Sequence, residues 1–259
     1  MMTAALADSA TMLRRNLKHM LRYPSMILFM VLMPVLFLLL FVYILGGTIG
    51  PAGHACRAAY ATFITPGIIA LTAVAASTAT AVSVASDMTE GIMARFRTMP
   101  IARVSMLAGH VGGAVIQTML GMVAVTAVAL LTGFRATTSA TGWLAAAAIL
   151  VLFIFALTWL SVALGLAAKT AESASNAPTP LIILAFLGSG FVLTRSMPAA
   201  IRWFAEYQPF TPVIDTVRGL LTGGPIGHNA VLAIAWSLVI TVGSYLWARK
   251  LFSRDPGQA

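Results

Sequence analysis

Residues 142–168 read GWLAAAAILVLFIFALTWLSVALGLAA, with no Asp, Glu, Lys, Arg or Pro. As a helix rising 1.5 Å per residue, such a run is about 40 Å long, more than the roughly 30 Å hydrocarbon core of a bilayer. It is apolar on every side, so it has no face to turn to water. Comparable runs occupy residues 25–45, 61–85, 106–131, 177–194 and 230–248. Of the 259 residues 59% are hydrophobic and 9% charged, where a soluble domain carries about 25% charged residues. The reading is an all-α polytopic membrane protein: a single domain over 1–259 with six transmembrane helices.

The net charge of +9 does not point to nucleic acid, because the Lys and Arg residues lie between the apolar runs and form no basic stripe. They set topology instead. With the N-terminus placed inside, the inner connections hold Arg14, Arg15, Lys18, Arg22, Arg95, Arg97, Arg103, Lys169, Arg249, Lys250 and Arg254. The outer ones hold Arg57, Arg135, Arg195, Arg202 and Arg218. An excess of positive charge on one side predicts that side to be cytoplasmic, with both termini inside. Cys56 is the sole cysteine, which excludes an intramolecular disulfide and a thiolate cluster.

Ahead of the first run, Met12, Leu13, Leu17, Met20 and Leu21 recur at helical spacing while Arg14, Arg15, Lys18 and Arg22 fill the other face. This predicts an amphipathic helix on the cytoplasmic membrane surface within residues 1–24. The first run is too long for a signal-peptide core and no convincing cleavage site follows it, so it reads as a retained span. Two connections exceed simple turns. The inner loop 86–105 is charged, and the outer segment 195–228 holds two short helical stretches. In the first, Ile201, Phe204 and Tyr207 share a face. In the second, Thr211 is placed to cap a helix with Pro212 at its first position, followed by Val213, Val217 and Leu220. A re-entrant or interfacial hairpin before the last span is expected.

Catalytic signatures are missing from the sequence. It has no HExxH and no GxSxG, its four histidines are scattered, and Lys169-Thr170 lacks the glycines of a phosphate loop. No metal site, bound cofactor or enzymatic activity of the chain's own is expected. None of the six runs holds an Asp, Glu, Lys or Arg near its middle, which argues against ion-coupled transport. The polar residues inside the runs are small or weakly polar: Thr62, Thr65, Thr72, Ser77, Thr78, Thr80 and Ser83 in the second, Gly109, Gly113 and Gln117 in the third, and Gly188-Ser189-Gly190 in the fifth. They suit close helix packing first and the lining of an amphiphilic path second.

The inner loop reads Asp87-Met88-Thr89-Glu90-Gly91-Ile92-Met93-Ala94-Arg95-Phe96-Arg97-Thr98-Met99-Pro100-Ile101-Ala102-Arg103, then Leu107-Ala108-Gly109. It resembles the cytoplasmic loop of ABC type-2 permeases, in particular the daunorubicin-resistance-like drug exporters. The late stretch Gln208-Pro209-Phe210-Thr211-Pro212-Val213-Ile214-Asp215-Thr216-Val217-Arg218-Gly219-Leu220-Leu221 is similar to that family's signature before its last helix. One departure is the run Gly109-His110-Val111-Gly112-Gly113, where the family often has an acid.

The resemblance implies the membrane subunit of an ATP-driven exporter in a bacterial cytoplasmic membrane. Such a subunit works as a homodimer and moves a hydrophobic or amphiphilic compound. It is energised by a separate ATPase subunit that binds the ATP and magnesium. It further implies that Glu90, Gly91, Arg95, Phe96, Arg97, Pro100 and Arg103 seat in the ATPase, together with the helix carrying Arg14, Arg15, Lys18 and Arg22. Pro209, Phe210, Pro212, Asp215 and Arg218 form the external motif. A lipid-linked polysaccharide exporter of the same superfamily and a non-transporting scaffold or immunity protein are the alternatives.

Overall fold

The computed structural model describes the backbone of residues 24–46, 54–89 and 103–252. The described residues are helical and contain no strand. In chain order the helices are α1 (Pro24–Leu40, continued by a π-helical turn Phe41–Leu45), α2 (His54–Thr89), α3 (Arg103–Leu131), α4 (Ala140–Ala167), α5 (Ala171–Asn176), α6 (Thr179–Phe186), α7 (Ala199–Tyr207), α8 (Phe210–Thr222) and α9 (Asn229–Phe252). Four of them, α2, α3, α4 and α9, are long and apolar enough to cross a membrane.

The fifth expected span differs from its sequence reading. Residues 177–194 do not form one helix: α6 ends at Phe186 and the chain passes through turns before a short 3-10 turn at Thr194–Ser196. Pro178 and Pro180 confine α6 to a late start, and the glycines at 188 and 190 cost helix stability where it ends.

Helix α2 is the axis of the bundle. In its apolar window 67% of residues are buried, against 17% for α9, so α9 presents most of its surface outward. Around α2 pack α1, α3, α4, α5, α6 and α8, and α4 also packs along α9. The main core joins Ile64, Ile68 and Val74 of α2 to Phe153 and Leu157 of α4 and to Phe210 and Ile214 of α8. A second cluster, containing Val84, Val111, Trp159, Val162 and Ala248, closes the opposite end of the bundle.

Four buried hydroxyls of the second run are settled within their own helix. Thr65 donates to the Ala61 carbonyl at 2.6 Å, Thr72 to Ile68 at 2.9 Å, Ser77 to Ala73 at 2.9 Å and Thr80 to Ala76 at 2.9 Å. Such bonds to the preceding turn satisfy the hydroxyl without a second element, and all four side chains are buried. For these four, helix packing is the reading the geometry supports; Thr62 and Thr78 are half-buried and Ser83 is exposed.

Candidate functional site

Helix α8 begins at Phe210, with Pro209 as its cap residue. This corrects the expectation that Thr211 caps the helix: Thr211 lies inside the first turn, and its hydroxyl accepts the Ser189 N–H at 3.2 Å. Pro209 is half-buried and Pro212 is buried in that first turn, where a missing N–H costs nothing. At the far end Gly223 adopts φ +71° and terminates the helix, a conformation that glycine takes at no steric cost.

The apolar face of α8 carries Phe210, Val213, Ile214, Val217 and Leu221, all at most 1% exposed. Phe210 meets Phe153 of α4 edge to face, with ring centroids 5.2 Å apart. Phe153 lies thirteen residues into α4, about 20 Å from its start, whereas Thr137, just before α4, donates to the carbonyls of Leu221 and Thr222 at 3.0 and 2.8 Å. Helix α8 therefore runs from within the bundle back to the end that carries residues 132–139.

Gln208, Thr211, Asp215 and Arg218 recur at intervals of three and four, which aligns them along one side. This polar side is also covered, because it faces the break after α6. Ser189 Oγ donates to Asp215 Oδ1 at 2.6 Å, and Gln208 Nε2 donates to the Leu184 carbonyl at 2.9 Å. Arg218 Nη1 donates to Asp215 Oδ1 at 2.6 Å. Its Nη2 donates to the Ser189 carbonyl at 2.7 Å and to the Phe63 carbonyl of α2 at 3.2 Å. The guanidinium carbon lies 4.5 Å from the centroid of the Phe63 ring, within cation–π range.

Pro66 of α2 has no N–H to donate to the turn before it, and a carbonyl freed in this way can be satisfied by a neighbouring element. Beside it, Gly67 touches Gly190 of the break backbone to backbone. Helix α8 is not among the spanning helices. Burial pushes the Arg218 guanidinium below its ordinary value and the Asp215 carboxylate opposes that shift; an arginine so placed stays charged.

Of the residues expected from sequence, the structure brings Asp215 and Arg218 together, with Pro209, Phe210 and Pro212 supporting them. Their partners Ser189 and Phe63, and the neighbouring Gly67, were not anticipated as a group. The proline-glycine pair inside the second run and the polar stripe across residues 208–218 were the available signals. Glu90, Gly91, Arg95, Phe96, Arg97 and Pro100 lie outside the described residues, as do Arg14, Arg15, Lys18 and Arg22. Arg103 is the first residue of α3, and its side chain is likewise outside them. Among the described residues no group of three or more His, Cys, Asp and Glu is placed to hold a metal ion.

Residues 9–222 match the family described as ABC-2 type transporter. The chain is 29% identical over 240 residues to the daunorubicin resistance ABC transporter permease protein DrrB1 of Streptomyces coeruleorubidus, covering 91% of this chain and 83% of that one. It is 26% identical over 217 residues to the probable doxorubicin resistance ABC transporter permease protein DrrC of Mycobacterium tuberculosis (strain ATCC 25618 / H37Rv), covering 82% and 76% respectively. With a match that runs from the N-terminal segment to the end of α8, and a bundle of membrane-crossing length behind it, the chain belongs to the ABC-2 type transporter family.

Proposed function

We propose that this chain is the permease subunit of an ATP-driven exporter that carries a hydrophobic or amphiphilic, drug-like or lipid-like compound out of the cytoplasm or inner leaflet. The observation that carries the reading is the family match across residues 9–222 in a chain whose sequence has no phosphate loop. The drug-resistance names of the two relatives support the substrate class.

In this reading two copies of the permease bind two copies of a separate ATPase, which holds ATP and magnesium. The chain crosses a bacterial cytoplasmic membrane six times, with both termini in the cytoplasm. The first crossing combines α1 with its π-helical turn, and the fifth combines α5, α6 and the break that follows. Residues 195–228 form the external hairpin. The course of α8, from Phe153 back to the 132–139 end, is what a re-entrant helix requires. Exposed Ile201, Trp203, Phe204 and Tyr207 on α7 suit a membrane interface, where aromatic side chains concentrate. Glu90, Gly91, Arg95, Phe96, Arg97, Pro100 and Arg103 receive the ATPase, assisted by the basic helix with Arg14, Arg15, Lys18 and Arg22.

The test is doxorubicin uptake into inside-out vesicles that contain this chain and its ATPase. Uptake that requires hydrolysable ATP is expected. Uptake that persists without nucleotide and follows an ion gradient would overturn the proposal. ATP-dependent movement of a lipid-linked glycan but not of doxorubicin would redirect it to the polysaccharide class.

A further inference from the structure

We propose that Arg218 is a positioning residue that holds the break after α6, residues 187–193, shut against α2, and that this joint opens during the transport cycle. The opening step rests on the exporter reading above.

The two sides of the joint are held differently. Helix α8 is fixed to α4 by contacts that do not involve residue 218. Phe210 packs on Phe153, Thr137 caps the last carbonyls of α8, and a Cβ at Gly142 would come within 2.9 Å of the Leu220 carbonyl oxygen, so the two backbones nearly touch. The break is anchored apolarly at Phe191, which packs against the main core and on the rings of Phe41 and Phe186, with centroids 5.4 and 4.6 Å apart. It lies on α2 through Gly67 and Gly190, a smooth contact with no side chains to interlock.

Besides that ring contact, the break is restrained toward α8 and α2 by polar bonds that gather on Ser189. Its N–H goes to Thr211, its hydroxyl to Asp215, and its carbonyl accepts from Arg218. Among the described residues, Arg218 is the side chain that donates both to the break, at Ser189, and to α2, at Phe63. The pair with Asp215 lies within α8 itself, three residues apart. It orients the guanidinium and joins no separate elements. Hydrogen bonds from a charged donor are among the stronger ones, so loss of both carbonyl bonds should raise the open population on the order of 10- to 100-fold. A lysine keeps the charge but lacks the planar fork that serves several acceptors at once.

Leu193 is 52% exposed at the end of the break and offers a reporter position. In the complete permease–ATPase complex in liposomes, carrying Cys56→Ala and Leu193→Cys, labelling by a membrane-impermeant maleimide reads the joint with and without ATP and vanadate. Arg218→Met should label about tenfold faster without nucleotide and lose its nucleotide dependence. The exchange Asp215→Arg with Arg218→Asp rebuilds the ion pair but gives position 218 no donor, so it should behave like Arg218→Met. Asp215→Asn keeps the guanidinium and should shift the rate no more than about threefold.

Parent-like rates in both Arg218→Met and the exchange would overturn the clamp. Where those variants fail to accumulate, Arg218→Lys decides: labelling about threefold faster supports the clamp, and a parent-like rate overturns it. The nucleotide-free rates test the clamp by themselves. A parent complex whose labelling ignores nucleotide would remove the opening step and count against the exporter reading, while leaving the clamp standing.

Discussion

Gly67 and Gly190 meet without any intervening side chain: a Cβ added at Gly67 would sit 2.6 Å from the Cα of Gly190, and one added at Gly190 would sit 2.7 Å from the Cα of Gly67. Neither atom can move aside as a flexible side chain would, because both belong to the backbone. Gly67→Ala should therefore destabilise the bundle by about 1–3 kcal/mol, the usual cost of overpacking. Gly243 on α9 has nothing within 4 Å of its hypothetical Cβ. There Gly243→Ala should be neutral or stabilising by up to about 1 kcal/mol through helix propensity. Thermal unfolding of the two detergent-solubilised variants separates the cases; equal midpoints would show that the glycine contact is slack.

Phe153 and Phe210 are both fully buried and face each other edge to face across α4 and α8. Truncating either to alanine removes apolar contact and leaves a cavity, at a cost of about 3–5 kcal/mol. Because the rings touch, the double variant should cost less than the sum of the two, with a coupling of about 0.5–1.5 kcal/mol. Denaturation of the four proteins in one detergent closes the cycle. Strict additivity would mean that α8 and α4 do not share this contact in solution.

Which parts of this arrangement were legible in the sequence follows from the range of the forces involved. The run at 142–168 is decided by solvent: its composition alone requires a helix that avoids water, and α4 occupies Ala140–Ala167. The fifth run is equally free of charge, yet it breaks after Phe186, where Gly188 and Gly190 weaken the helix and tertiary partners on α2 and α8 hold Ser189 and Gly190. Average hydropathy does not see such contacts. Thr211 illustrates the same limit at the level of one residue. Its local context suited a cap, but a hydroxyl placed beside the open N–H of Ser189 is used there instead. Asp215 and Arg218 were visible as a motif, but the Phe63 carbonyl, 155 residues away in sequence from Arg218, was not.

The six-residue helix α5 is short enough that its N-terminus decides its stability. Thr170 accepts the Ser173 N–H at 3.1 Å, and the Ser173 hydroxyl accepts the Thr170 N–H at 3.1 Å, which forms a reciprocal capping box. Thr170→Ala breaks both the bond and the geometry of the pair and should cost about 1 kcal/mol locally. Hydrogen exchange of residues 171–176 should accelerate about fivefold with little change elsewhere. Unchanged exchange would show that packing against α2 holds α5 without its cap.

Charge in the segment between α2 and α3 gives a prediction with an internal control. Helix α2 ends at Thr89 and α3 begins at Arg103, so the segment with Glu90, Arg95 and Arg97 joins the two helices at one end of the bundle. Val84 of α2 and Ala248 of α9 share one core cluster, which places exposed Arg249 at that same end. If the connecting segment receives the ATPase, Arg97→Glu should lower co-purification of the ATPase about tenfold, since reversal of one contact charge costs on the order of 1–2 kcal/mol when partly desolvated. Arg249→Glu, with the same change in net charge, should leave it unaltered. Raising salt should shrink the wild-type affinity and the Arg97→Glu deficit together, because screening acts on exposed pairs. Equal losses in the two variants would assign the effect to overall surface charge, and no loss in either would remove the segment from the interface.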